Sequence, residues 1–312
     1  MYYIYEFNIA GKMKNKVLIV GANGLVGQKL VQRFAAVDQL LGLDVHDDFH
    51  MRGRSNASYI KLDFSNYNQT KEVLHEFRPE LIINAAGLTN VDACEEDPDG
   101  SLRANVTGPL YLAELARRYN SHFVHISSDY VFDGQNGPYR ESDPTAPLSV
   151  YGQHKLESEK AVQGTGCRYT ILRAIVIFGH AIAVKANFAL WLIDRLKNGQ
   201  QLHLVTDQWG NTTMAEDVAE AIYLASDKEV QGLYHVGNPR FHSRYDFALE
   251  IAAHFALDRE LINPVLTSEL KQKAVRPLRS GLIYEAAAGA FGFAPMELPE
   301  SFAKLKQQVE NG

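Results

Sequence analysis

Tyr151 and Lys155, in the run Tyr151-Gly152-Gln153-His154-Lys155, are the residues whose types and spacing most directly suggest chemistry. Four residues make about one helical turn, so the phenol and the ammonium share a face, and a neighbouring cation lowers a phenol's pKa. A phenol tuned in this way can trade a proton with a substrate oxygen. The spacing alone describes a solvated helix face equally well, so its weight depends on the rest of the chain.

A second feature lies upstream, in Lys16-Val17-Leu18-Ile19-Val20-Gly21-Ala22-Asn23-Gly24-Leu25-Val26-Gly27. An apolar run ends in glycines at Gly21, Gly24 and Gly27 and leads into the helical pattern Leu30, Val31, Phe34, which reads as strand, tight turn, helix. Glycine opens backbone conformations closed to other residues at such a turn, and lets a pyrophosphate approach the amides at the helix N-terminus, where the dipole is positive. The cofactor candidates are therefore Gly21, Asn23, Gly24, Leu25 and Gly27. The spacing is G-x-x-G-x-x-G, where the general dinucleotide fingerprint is G-x-G-x-x-G. The next apolar run, 40–45, carries Asp44 near its tip, about 20 positions on, where a carboxylate takes the adenosine ribose hydroxyls. A carboxylate there repels a 2′-phosphate and favours NAD(H), although Arg52 and Arg54 follow closely and could serve a phosphate. The alternative is that Asp44 only caps a turn.

These groups need elements to hold them. The first half alternates strand candidates at 17–20, 41–45, 59–62, 81–84, 123–127 and 170–173 with helices such as 67–77, 109–119 and 153–163, a pattern that gives a parallel sheet covered on both faces. Ligands in such sheets lie beyond the carboxyl ends of the strands. Asp44, Asp63 with Phe64, Asn84-Ala85-Ala86-Gly87 and Ser127-Ser128 all fall at strand ends, and Ala85, Ala86 and Gly87 join the cofactor candidates. Beyond residue 174 the alternation weakens, with helices near 187–198, 215–225, 245–255 and 301–309. The predicted division is an extension over 1–12, a dinucleotide domain over 13–173 to which 202–235 returns, and a smaller, interleaved substrate lobe from 174–201 and 236–312. Thr213-Met214-Ala215-Glu216 has capping-box spacing ahead of the helix at 218–224, with Asp217 in the first turn, and is read as structural.

Composition limits the functions. At 312 residues, 46% hydrophobic and 22% charged, the chain can bury a sizeable core. A net charge of −6 argues against nucleic acid as the main partner, and no apolar run approaches the roughly 20 residues of a membrane span. The first dozen residues lack the pattern of a signal peptide, with Met13 as an alternative start. Two cysteines, Cys94 and Cys167, are too few for a disulfide framework and point to a reducing compartment, the cytoplasm. None of the 11 histidines stands in a zinc-spaced cluster, so no metal site is expected, and His154 is read as structural.

The strand Val124-His125-Ile126-Ser127-Ser128 delivers hydroxyls to the sheet edge, where a serine can donate to a carbonyl oxygen that Tyr151 protonates. With the glycine pattern, the Asn-Ala-Ala-Gly strand end, Ser128 and the Tyr151/Lys155 pair together, the chain resembles the extended short-chain dehydrogenase/reductase family. Ser127 to Gly134, Tyr151 to Glu159, Asp207-Gln208-Trp209-Gly210-Asn211, and Arg276-Pro277 with Ser280 and Leu282 resemble the dTDP-4-dehydrorhamnose reductases within it. The resemblance implies a Rossmann-like doubly wound α/β fold and NAD(P)H-dependent reduction of a 4-keto group on a nucleotide-linked deoxysugar. It makes Ser128 the hydroxyl partner, where these reductases usually have threonine, Tyr151 the acid, and Lys155 the residue that tunes Tyr151 and holds the nicotinamide ribose. It also implies that Asn105 supports a proton relay and that Asp129 and Tyr130 line the sugar pocket. Lys185, Asn187 and Arg276 become candidates for the nucleotide-sugar diphosphate, with surface polar residues as their other reading.

Two departures bear on the substrate. Val176 stands where the reductases commonly carry a sugar-contacting tryptophan, and Asn211-Thr212-Thr213 lacks their common Pro-Thr. The related 4,6-dehydratases place an acid-base carboxylate directly after the aspartate, and here that residue is Tyr130, which disfavours dehydration. The rival readings are a nucleotide-sugar 4-epimerase that retains NAD, and a cofactor-binding regulatory subunit resembling the β subunit of methionine adenosyltransferase. A homodimer is compatible with the chain, whose sequence does not fix the oligomer.

Overall fold

The computed structural model describes residues 15–47, 50, 56–185 and 187–311. Six strands of the first half run in chain order: β1 (Lys16–Val20), β2 (Gln39–Asp44), β3 (Ala57–Lys61), β4 (Leu81–Asn84), β5 (His122–Ser128) and β6 (Arg168–Ala174). Short strands follow at β7 (Ile177–Phe178), β8 (Leu202–Val205), β9 (Trp209–Gly210) and β10 (Thr213–Met214), before β11 (Gly232–Val236). The central sheet has seven strands in the order β11-β6-β5-β4-β1-β2-β3, and every pairing within it is parallel. The order reverses between β1 and β4, the switch point at which Rossmann-type sheets open a crevice. The doubly wound α/β fold expected from the sequence is the observed one.

The alternation along each strand explains the two layers. Val17 and Ile19 pack on one face with Leu30 and Val31 of α1 (Leu25–Arg33) and with Val218 and Ile222 of α8 (Ala215–Asp227). Leu18 and Val20 pack on the other with Leu74 of α2 (Tyr67–Phe77), Leu112 of α5 (Gly108–Tyr119) and Val162 of α6 (Val150–Thr165). Successive side chains on a strand point to opposite faces, so a run apolar at every position is buried on both. Each such side chain contributes about 1.5–3 kcal/mol.

Of 202–235, helix α8 and strand β11 join the central sheet. β8 instead pairs in parallel with β13 (Ile262–Val265), with β12 (His242–Ser243) lying antiparallel to β9. A second core forms there from α7 (Phe188–Lys197), α9 (Arg244–His254) and α11 (Leu298–Asn311), centred on Phe178, Phe247 and Phe302. Phe291 and Phe293, at the end of α10 (Glu285–Phe291), pack back on the central sheet.

The expected capping box at Thr213 and Glu216 is not formed. The N-cap of α8 is Met214, with no side-chain cap. Thr213 is bridged to Ile177 in β10 and spends its hydroxyl on the Ile175 carbonyl at 2.8 Å, while Glu216 pairs with Lys29 at 3.0 Å. A tertiary strand contact has displaced the local motif.

Candidate functional site

The first part of the site is the glycine turn. Gly21 adopts φ +81°, and its amide donates to the Leu43 carbonyl at 2.8 Å. A Cβ on it would lie 2.8 Å from the Ala86 nitrogen and 2.9 Å from the Ala85 carbonyl carbon. Gly21 is thus required where the turn presses on the end of β4, and Gly27 is required where α1 crosses the Gly21 carbonyl. Gly24 is the N-cap of α1, and no side chain caps that helix start. Bare amides with the helix dipole behind them suit a pyrophosphate. Leu25, the first residue of α1, packs half-buried on the core.

Asp44 ends β2. Its Oδ2 accepts from the Asn23 amide at 3.1 Å, and its Oδ1 from Val45 at 2.8 Å and His46 at 3.4 Å. The carboxylate therefore caps the strand end and also ties it to the glycine turn. Asn23 reaches the Tyr59 hydroxyl at 3.2 Å and accepts from the His50 amide at 3.1 Å. Arg52 and Arg54 lie outside the described residues, as does the extension over 1–12. Asp63 is exposed and caps its own turn through Ser65 at 2.9 and 2.7 Å, while Phe64 is buried against Gly108. At the end of β4, Asn84 accepts from the Ala86 amide at 3.1 Å. Gly87, at φ +159°, passes so close to Asn105 that a Cβ would lie 2.7 Å from its Oδ1.

The reacting groups meet where β5 ends and α6 begins. Ser149 caps α6, accepting from the Gly152 amide at 3.2 Å, and Gly152 leaves no room for a side chain against the Tyr130 carbonyl. This close start brings Tyr151 beside Ser128 at the tip of β5, its ring edge-on to Tyr130 at a centroid distance of 5.5 Å. Lys155, one turn on, is 5% exposed and donates from Nζ to the Ile126 carbonyl at 2.6 Å. Ser128 Oγ donates to Asp129 Oδ1 at 3.2 Å, and Asp129 Oδ2 accepts from Ser280 Oγ at 2.7 Å.

The shift of the phenol runs opposite to the expected lowering. Burial pushes Tyr151 upward from its ordinary value, opposed by its hydrogen bond with Ser128. Burial also lowers Lys155 to about 8, with the Glu159 carboxylate opposing. Desolvation penalises either charge, and here it outweighs helical proximity.

Asn105 lies in a π-helical turn, Arg103–Thr107. Its Oδ1 accepts from the Leu88 amide at 3.0 Å, and its Nδ2 donates to the Leu88 carbonyl at 3.0 Å and to Ser101 Oγ at 3.2 Å. Ser101 in turn bonds His154 Nδ1 at 2.8 Å. These contacts fix the loop after β4 and do not reach Lys155.

A narrow cleft opens beside Asp129 and Tyr130. Val176, Gln208, Trp209, His242, Arg244 and Ser280 line it as well. Val176 sits at φ +42°, a conformation that costs a β-branched residue about 1–3 kcal/mol. The loop at Asn211 is locked, with Nδ2 donating to the Asn238 and Leu282 carbonyls at 2.7 and 2.9 Å.

Of the residues expected at the substrate, Asp129, Tyr130 and Val176 reach this cleft. Lys185 is exposed elsewhere, Asn187 caps α7 and donates to the Gly179 carbonyl at 2.6 Å, and Arg276 forms a two-pronged pair with Asp92 at 2.8 and 2.8 Å. Arg244 and His242 were not anticipated. The signal available was Ser243-Arg244-Tyr245-Asp246, a true capping box that puts Arg244 at the first position of α9. Among the described residues no cluster of histidine, cysteine, aspartate or glutamate could hold a metal, and no helix is long and apolar enough to cross a membrane.

Comparisons with known proteins identify the family. The RmlD substrate binding domain matches residues 14–311. A dTDP-4-dehydrorhamnose reductase of Aggregatibacter actinomycetemcomitans is 32% identical over 311 residues, covering 95% of this chain and 99% of the relative. A dTDP-4-dehydrorhamnose reductase structure from Clostridium acetobutylicum superposes with a TM-score of 0.82 at 30% identity, covering 95% of this chain and 99% of that one. One from Bacillus anthracis, in complex with NADP, has a TM-score of 0.82 at 27% identity, covering 95% and 100%. With a domain match that runs nearly end to end and relatives matched over almost their whole length, the chain belongs to the RmlD substrate binding domain family.

Proposed function

We propose that the protein is an NAD(P)H-dependent reductase acting on the 4-keto group of a nucleotide-linked deoxysugar. The observation that carries this reading is the convergence of Ser128, Tyr151 and Lys155 at one strand end, between the glycine turn and the cleft beside Asp129. The names borne by the matched reductases support it.

The glycine turn, with Gly21, Gly24, Leu25 and Gly27, takes the pyrophosphate of the dinucleotide. Ala85, Ala86 and Gly87 after β4, with Asp63 and Phe64 after β3, flank the adenosine side. Bound NAD(P)H supplies the hydride. Ser128 donates a hydrogen bond to the carbonyl oxygen, and Tyr151 gives that oxygen its proton as negative charge develops on it. Lys155, held against the Ile126 carbonyl, orients the nicotinamide ribose. Asn105 acts as a positioning residue through Leu88. Asp129, Tyr130 and Val176 receive the sugar.

Asp44 supports a preference for NADH, since a carboxylate at the end of the second strand would repel a 2′-phosphate. The free, buried Cys94 and Cys167 suit a reducing compartment such as the cytoplasm. The test is loss of reduced-nicotinamide absorbance with a panel of nucleotide 4-keto sugars, run with NADH and NADPH in parallel. Turnover with at least one sugar is expected, faster with NADH. No oxidation of either cofactor across the panel would refute the reading.

A further inference from the structure

We propose that Arg244 sets the charge class of the substrate, its guanidinium binding a pair of oxyanion oxygens on the molecule that fills the cleft. This rests on the reading of the cleft as a nucleotide-sugar site.

Several other polar groups around the cleft are committed, while His242 Nε2 has no partner among the described residues. Both Asp129 oxygens accept serine hydroxyls, and the Asn211 side chain is fully bonded to backbone. Gln208 donates to Thr267 Oγ1 at 3.1 Å and Gln272 Oε1 at 3.3 Å. His242 is held neutral, burial lowering it to about 4. Arg244 is therefore the one cation among the described residues that line the space.

Its guanidinium makes no hydrogen bond or ion pair among the described residues. It lies over the Phe188 ring at 5.7 Å, which occupies a face of the planar group and leaves its edge of N–H donors available. Arg276, whose charge bears on Arg244, is already neutralised by Asp92. A half-buried guanidinium with no partner is costly unless a ligand supplies one. Five donors in a fixed fork match the paired oxygens of a phosphate or a carboxylate. On a nucleotide sugar those oxygens belong either to the diphosphate or to a carboxylate on the sugar.

The experiment measures binding by calorimetry to cofactor-saturated protein and needs no turnover. The probes are dTDP and UDP for the diphosphate, and UDP-glucuronate against UDP-glucose for the carboxylate. Arg244→Met is expected to weaken at least one of these by roughly 10- to 100-fold, the loss of a charge-assisted fork, with cofactor affinity unchanged. Weakened dTDP or UDP binding identifies phosphate as the anion. Unchanged diphosphate binding with a lost preference for UDP-glucuronate identifies the carboxylate. Equal affinities for all four probes in wild type and variant overturn the proposal, as does failure of the wild type to bind any of them. If Arg244→Met also loses cofactor, Arg244→Gln is read by the same criteria. Absence of turnover on every keto sugar while Arg244→Met still weakens binding would sink the reductase reading and leave this one standing.

Discussion

Replacing Glu159 by Gln is expected to cost about 3–5 kcal/mol of stability, the range for uncoupling a buried ion pair. Glu159 lies one turn beyond Lys155 on α6. Its Oε1 accepts from Ser127 Oγ at 2.5 Å and Arg173 Nε at 2.8 Å, and its Oε2 from Arg173 Nη2 at 2.7 Å. The two side chains are 3% and 4% exposed, so water cannot replace a missing partner. Glutamine keeps the volume and an acceptor for Ser127, but leaves a buried guanidinium with only the Phe132 ring at 5.0 Å and the neutral His235 at 3.4 Å. Arg173→Met should cost a similar amount. The pair Glu159→Leu with Arg173→Met should cost far less than the two separate losses together, because neither charge is then stranded. Urea unfolding of the cofactor-free protein measures all three. A second readout separates positioning from bulk stability: the Glu159 carboxylate opposes the desolvation of Lys155, so Glu159→Gln should move the pKa of Lys155 below its present value of about 8. The basic limb of the pH–rate profile would shift with it. A loss under about 1 kcal/mol with an unmoved profile would show that the pair behaves like a surface contact and that the reasoning fails.

Tyr151→Phe should lower turnover by about 10²-fold or more while cofactor affinity, followed by fluorescence titration, changes little; near-normal turnover would remove Tyr151 from the chemistry. Asp44→Asn keeps an acceptor for the Asn23 amide but removes the charge, and should shift the NADPH-to-NADH ratio of kcat/KM roughly tenfold towards NADPH. An unchanged ratio would leave Asp44 as a cap alone. Asp217 is buried, accepts from the Met296 amide at 3.3 Å, and is raised by desolvation to about 7 from 3.8. The native state therefore holds a proton that the unfolded chain releases, and stability falls as pH rises between those values. Asp217→Asn should match wild type near the lower value and gain up to about 4 kcal/mol above the upper one, in thermal melts across that range; a gain independent of pH would contradict this.

Local pattern carried most of the sheet. The all-apolar runs at 17–20 and 81–83 and the helical spacing of Leu30, Val31 and Phe34 are decided within a few residues of chain, and the corresponding elements lie where that spacing puts them. β11 was not legible as a strand. Its partner β6 begins some 60 residues earlier, and Gly232-Leu233-Tyr234 is only half-buried, so no local alternation marks it. Thr213 shows the reverse failure, a sound local motif defeated by a strand pairing 36 positions away at Ile177. The site divides in the same way. Tyr151 and Lys155 announce themselves by spacing, whereas Arg276 meets Asp92 across 184 positions, and Arg244 lines the same cleft as Asp129 only because the lobe folds back over β5.

The sense of the Tyr151 shift has a consequence for the direction of reaction. Proximity to Lys155 alone would favour phenolate, a base suited to removing a proton from an alcohol. Burial instead keeps the phenol protonated, and Lys155 spends its ammonium on the Ile126 carbonyl at 2.6 Å. A protonated phenol beside a serine donor suits the step in which a carbonyl oxygen gains a proton, which is reduction. The rate of keto-sugar reduction should therefore stay level from neutrality until the Lys155 charge is lost near pH 8, while oxidation of the product alcohol, which needs the phenolate, should climb throughout that range. Paired pH profiles of the two directions test this. Reduction that rises with pH in step with oxidation would mean that the phenol is already half-ionised near neutrality, and that the lysine outweighs burial after all.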